Sequence, residues 1–221
     1  RLTVDSLGAE MVSVIDVATG REMLWCADPA VWNRHAPILF PYAGKLTGGH
    51  FLAEDGKVYE GGQHGFARDL EHRLVSQTAN ELTFELTSGG ETYVYFPYDF
   101  ALRSTYTLEG RRISHSVAVR NTGKGTLRFG FGYHPGFALP FDDAHTAEDY
   151  DVVFDTVESP LCLNTAPNGL VCASPDYYLA RNVDRIPLSA KLFAHDSHCM
   201  VNLKSKTMSV VERDTGGKKG P

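Results

Sequence analysis

Residues 100–119 read FALRSTYTLEGRRISHSVAV, two runs of alternating side chains joined by Glu109-Gly110. In the first run Phe100, Leu102, Ser104, Tyr106 and Leu108 share one face; in the second Ile113, His115, Val117 and Val119 do. A period of two puts alternate side chains on opposite faces of a pleated strand, so each run predicts a strand with one face buried. The glycine between them supplies turn chemistry, and together they predict an antiparallel hairpin.

The same period extends outward in both directions. Residues 81–87 (ELTFELT) bring Leu82, Phe84 and Leu86 together, and Leu127, Phe129, Phe131 and Tyr133 repeat the pattern downstream. Residues 11–15, 199–203 and 208–211 read as further strands, and residues 1–4 begin inside another. Ser88-Gly89-Gly90 and Asn121-Thr122-Gly123-Lys124-Gly125 are the connecting turns. Helical periodicity is confined to two weak stretches, 142–150 and 174–180, and the acidic run 141–155 (FDDAHTAEDYDVVFD) reads as a solvated loop. Many short strands without helices predict an all-β sandwich or barrel. No repeat or linker divides the 221 residues, so a single domain spanning 1–221 is expected. The first strand starts without an initiator Met, and a flexible tail follows the last one. The domain is therefore expected to be truncated at both ends.

Composition excludes several classes of function. Lys and Arg number 21 against 27 Asp and Glu, a net charge of −6, whereas a nucleic-acid binder needs a basic face to neutralise phosphates. Hydrophobic residues at 43% and charged residues at 22% are globular proportions. No run reaches the roughly 18–20 apolar residues of a membrane helix. Cys26, Cys162, Cys172 and Cys199 form no C-x-x-C pair, which argues against a zinc ribbon or redox motif, and reduced thiols in a cytoplasm are expected. There is no G-x-S-x-G, Walker A, G-x-G-x-x-G or H-E-x-x-H segment. His195 and His198 lie three apart, which on a strand points them to opposite faces, so no metal site is expected there.

Three segments resemble neither ordinary strand nor ordinary turn. One is Trp32-Asn33-Arg34-His35-Ala36-Pro37-Ile38-Leu39-Phe40-Pro41, apolar and bracketed by prolines behind a cation. Another is Gln63-His64-Gly65-Phe66-Ala67-Arg68-Asp69, where a glycine after the histidine allows a tight turn. The third is Phe129-Gly130-Phe131-Gly132-Tyr133-His134-Pro135-Gly136-Phe137, which delivers a histidine at a strand end. Imidazole gives or takes a proton near neutral pH, and aromatic side chains form floors on which sugar rings stack.

In this order, with the opening Leu7-Gly8-Ala9-Glu10-Met11-Val12-Ser13, the Leu24-Trp25 stretch and Ser116 to Gly123, these segments resemble the aldose 1-epimerase (galactose mutarotase) family. Its bacterial branch near the hexose-6-phosphate epimerase-like members is the most similar. The resemblance implies a galactose mutarotase-like β-supersandwich, here incomplete at its C-terminus. It also implies interconversion of α and β anomers of a hexose or hexose phosphate, without cofactor or metal. It places the general acid at His134 and a second, sugar-binding histidine at His64. Arg34, Lys45, Arg68 and, more loosely, Asp196 fall in segments that face the sugar; Lys45 stands where many members have Arg. The family's general base is a Glu in a Glu-Pro-Trp-like segment, and no such segment occurs here: Trp25 and Trp32 are the only tryptophans, and Glu212 lacks that context. The chain is therefore expected to stop before its base. It is expected to bind sugar weakly at best and not to catalyse anomerisation above buffer. The rival reading is a non-catalytic carbohydrate-binding sandwich; oligomeric state is left open.

Overall fold

The computed structural model describes residues 1–165, 169–172, 176–194 and 197–213. The chain forms two compact units, residues 1–138 and 139–221. In the first lie β1 (Leu2–Val4), β2 (Met11–Val14), β3 (Ile38–Leu39), β4 (His50–Leu52) and β5 (Val58–Glu60). They are followed by β6 (Arg73–Gln77), β7 (Glu81–Thr87), a single helical turn α1 (Gly90–Tyr93), β8 (Phe100–Glu109), β9 (Arg112–Asn121) and β10 (Gly132–Tyr133). Among the described residues, other helix is limited to short 3-10 turns.

The hairpin read from residues 100–119 is β8–β9, paired without a break from Phe100↔Asn121 to Glu109↔Arg112. It is half of an antiparallel sheet in the order β6-β7-β8-β9. Phe84, Leu86, Phe100, Leu102 and Tyr106 are all buried, as the period of two requires. Phe40 centres the core, with ring centroids 5.0 Å from Phe100, 6.1 Å from Phe96 and 6.4 Å from Phe66. On the other face of β7, buried Glu85 is held by Arg73 at 2.8 Å and Arg103 at 2.6 Å. These cations hold its carboxyl below the usual carboxylate range, the Arg103 hydrogen bond most of all.

The expected strand over residues 127–133 shrinks to the two residues of β10. Its partner explains why: β10 pairs with β3, which Pro37 and Pro41 bracket. Each proline accepts through its carbonyl, from His134 N–H at 3.1 Å and Gly130 N–H at 2.6 Å, but neither has an N–H to return. The ladder stops at both prolines.

The second unit corrects three further expectations. The acidic run is not all loop: β11 (Tyr150–Glu158) is the central strand of a sheet in which β14 (Val183–Pro187) and β16 (Met208–Glu212) flank it. Its buried Asp151 is neutralised by Arg213 at 2.9 Å and Arg185 at 3.6 Å, so charge did not exclude it from a sheet. Residues 142–150 contribute only a 3-10 turn (Ala147–Asp149) instead of a helix. In the other weak helical stretch, β13 (Tyr177–Tyr178) pairs with β12 (Leu161–Leu163), which also pairs with β15 (Cys199–Val201). No helix among the described residues is long and apolar enough to cross a membrane.

Candidate active site

His64 sits on a turn whose backbone leaves it little choice. It adopts φ +69°, uncommon for a residue with a side chain, and Gly65 follows at +72°. A side chain at Gly65 would collide with the carbonyl of Phe40, the residue with which it forms a bridge. That carbonyl also accepts the N–H groups of Phe66 at 3.0 Å and Ala67 at 3.2 Å. The His-Gly pair is therefore what lets the turn press against the core strand.

Gly44 then orients the ring. His64 N–H donates to the Gly44 carbonyl at 2.8 Å, and Gly44 N–H donates to His64 Nδ1 at 2.9 Å. A backbone N–H cannot accept, so Nδ1 carries no proton and the neutral ring holds its proton on Nε2. The Gln63 amide lies 3.2 Å from Nε2, and its orientation adjusts to that proton. Burial pushes the His64 pKa below the ordinary histidine value, and the nearby Arg68 and His134 push the same way. His64 is thus a neutral N–H donor at neutral pH.

His134 leaves β10 with its N–H on the Pro37 carbonyl, and its exposed ring lies 5.9 Å from that of His64. On its other side is Trp32, at 4.7 Å between ring centroids. The Trp25 indole N–H donates to the Trp32 carbonyl at 2.7 Å, which fixes the backbone of that residue. Gly136 leaves the room: a Cβ there would come within 2.9 Å of both Trp25 and Trp32. The result is a small aromatic and imidazole surface contributed by three separated stretches of sequence.

Arg68 is largely buried and donates to the Gln63 carbonyl at 2.8 Å. Arg34 donates to the Arg68 carbonyl at 3.2 Å and pairs with Asp69, so it braces the turn that carries Arg68. Lys45 is exposed and directly follows Gly44, the residue that grips His64. Asp196 and His195 lie outside the described residues. His198 has both ring nitrogens engaged, by the Tyr177 hydroxyl at 2.9 Å and the Leu192 carbonyl at 2.7 Å.

The sequence segments singled out included Trp32, Gln63 and Glu10, but the sequence alone gave these three no role. Glu10 left a signal, a carboxylate between Ala9 and Met11, both of which are buried. The sequence alone likewise gave no role to the grouping of Asp142 and His145, three residues apart, with Glu212 from the end of β16 in the second unit. His145 Nδ1 meets Asp142 at 2.7 Å and Nε2 meets Glu212 at 3.2 Å.

The sequence matches the aldose 1-epimerase family over residues 1–173. The chromosomal protein LacX of Lactococcus lactis is 33% identical over 217 residues, which are 96% of this chain and 72% of LacX. Among solved structures, a galactose mutarotase related enzyme from Lactobacillus acidophilus superposes with a TM-score of 0.84 at 32% identity. That match covers 89% of this chain but only 65% of the other, so the chain spans about two thirds of that relative. A galactose mutarotase-like protein from Lactobacillus casei gives a TM-score of 0.86 at 26% identity, covering 96% of this chain and 72% of its own. These neighbours share the galactose mutarotase-like all-β fold, and with the family match and the LacX identity they establish that the chain belongs to the aldose 1-epimerase family.

Proposed function

We propose that the protein interconverts the α and β anomers of a hexose in the cytoplasm. The observation that carries this reading is the pairing of a neutral, Nε2-protonated His64 with His134, 5.9 Å apart beside Trp32. Anomer exchange needs a proton delivered to the ring oxygen and a proton removed from the C1 hydroxyl. The C1–O5 bond then breaks, the open chain rotates about C1–C2, and closure on the other face gives the second anomer. His134 is the general acid at the ring oxygen, and water takes the C1 hydroxyl proton. His64 donates from Nε2 to the sugar and helps hold that oxygen in line. Trp32 backs His134 and offers an apolar face to the sugar ring. Proton transfer is the whole of the chemistry, so no cofactor is invoked.

An uncharged hexose fits better than a hexose phosphate. Phosphate binding draws on converging cations with donors to spare. Here Arg34 is paired with Asp69, and the largely buried Arg68 commits a terminal nitrogen to Gln63, while its Nε, with no hydrogen-bond partner among the described residues, is shut off from solvent. Free thiols at Cys26, Cys162 and Cys199 agree with a reducing compartment. The test is polarimetry of freshly dissolved α-glucose, α-galactose and hexose 6-phosphates with the full-length protein. Acceleration of a free hexose above buffer is expected. Acceleration confined to the phosphates would move the reading to hexose phosphates, and saturable binding without acceleration of any aldose would favour a carbohydrate-binding role.

A further inference from the structure

Glu10 is a buried carboxylate that the reaction scheme above does not use, with only 7% of its surface exposed. It ends the turn between β1 and β2. Its Oε1 accepts two backbone N–H groups, from His35 at 2.6 Å and Ala36 at 2.8 Å. Those two residues open the segment on which the His134 strand end is built. The His35 carbonyl accepts Gly136 N–H at 2.7 Å, and the Pro37 carbonyl accepts His134 N–H at 3.1 Å. One carboxylate oxygen therefore grips the backbone stretch that brackets His134 from both sides.

The same carboxylate lies behind the other half of the site. Arg68 feels its negative charge, opposing the burial and the Arg34 charge that bear on it. Next to Glu10, Gly8 N–H donates to the Leu70 carbonyl at 2.8 Å, so this turn also rests on the segment carrying Arg68. The Ala9 carbonyl accepts the buried Tyr106 hydroxyl at 2.8 Å, which ties the turn to the central sheet. Few ways exist to satisfy two adjacent buried N–H groups with one side chain, and a carboxylate between apolar neighbours is a costly choice unless both bonds are needed.

We propose that Glu10 is a positioning residue: it holds the 35–37 backbone so that the His134 ring faces His64 and the sugar. The proposal rests on the anomerase reading for its kinetic consequence, but the placement of His134 can be read without turnover. In the full-length protein, Glu10→Gln keeps an oxygen acceptor and removes the charge, Glu10→Asp withdraws the acceptor by one methylene, and Glu10→Ala deletes it. Misplacing a catalytic group by about 1 Å costs up to about 10²-fold in rate. Glu10→Asp is therefore expected to lower kcat by about tenfold or more with KM nearly unchanged, and Glu10→Ala further, while Glu10→Gln stays near wild type. The imidazole resonances of His134 should move in Glu10→Asp and Glu10→Ala and hold in Glu10→Gln.

Wild-type His134 resonances in Glu10→Asp would overturn the proposal, as would a Glu10→Gln variant impaired as severely as Glu10→Ala. If Glu10→Ala does not fold, the Asp and Gln pair still decides. If the wild type proves inactive on every aldose, the functional reading fails, and the resonances alone judge the placement.

Discussion

His64 shows how far a single side chain can be reasoned from its neighbours. Its motif was legible in the sequence, because a histidine before a glycine stood out from the strands around it. Its tautomer was not, because that is set by the Gly44 N–H, twenty residues away in sequence. Its lowered pKa was also hidden, since burial is the largest cause and Arg68 the next. Protonating Nδ1 removes the acceptor for the Gly44 N–H that orients the ring, so His64 loses function as pH falls through its pKa. Removing the Arg68 cation makes protonation easier, so Arg68→Gln should raise the His64 pKa. The acid limb of kcat/KM is then expected to move to higher pH than in wild type. An unchanged or downward-shifted limb would show that His64 does not govern it. Arg68 and Arg34 illustrate the opposite limit: the sequence revealed cations near the histidines, but not that Asp69 and the Arg68 carbonyl claim one of them.

Among the elements, the alternating pattern of β7, β8 and β9 was read nearly to the residue, because one face of each meets the phenylalanine core. It failed where backbone donors were missing: two prolines cut β10 to two residues although the alternation ran on for seven. It failed again in β11, where the acidic residues that suggested a loop are held by arginines and backbone N–H groups brought from later in the chain. Gly65 tests how tightly the His64 turn is built. Gly65→Ala forces a Cβ into the Phe40 carbonyl at positive φ, and is expected to lower stability by more than about 1 kcal/mol. It should also displace His64, so thermal unfolding and anomer exchange should fall together. A variant with wild-type melting would contradict the close approach.

The His145 bridge makes a separate statement about β16. The Asp142 hydrogen bond is the largest cause of a raised His145 pKa, and Glu212 and Asp149 add to it. Asp142 is held below its ordinary value by the same bond. A raised histidine pKa gives stability that is complete below the unfolded value of about 6.5 and is lost as pH rises through the folded one. A lowered carboxylate pKa gives stability that is lost as pH falls through its folded value. The bridge should therefore contribute most in mildly acidic solution. Hydrogen exchange at the β16 amides is expected to quicken from mildly acidic to alkaline pH, beyond its intrinsic pH dependence, and His145→Ala should remove the excess. An excess that survives in His145→Ala would assign it to another group.

For the whole molecule, an all-β class followed from strand periods and glycine-rich turns, and three short motifs in order were enough to mark the family. The site itself is an assembly of the first unit: β3, the His64 turn and the end of β10 meet because Phe40 serves at once as core and as hydrogen-bond acceptor. Its central claim is that His134, held in this way beside a neutral His64, passes a proton to a sugar ring. NMR magnetisation transfer between the α and β anomeric protons of a free hexose, with the full-length protein and with His134→Asn, tests it most directly. A positioned acid contributes about 10²–10⁴-fold. The expected result is exchange well above buffer in the wild type and a loss of that order in a His134→Asn protein that still melts like wild type. Equal exchange in the two proteins would contradict the account.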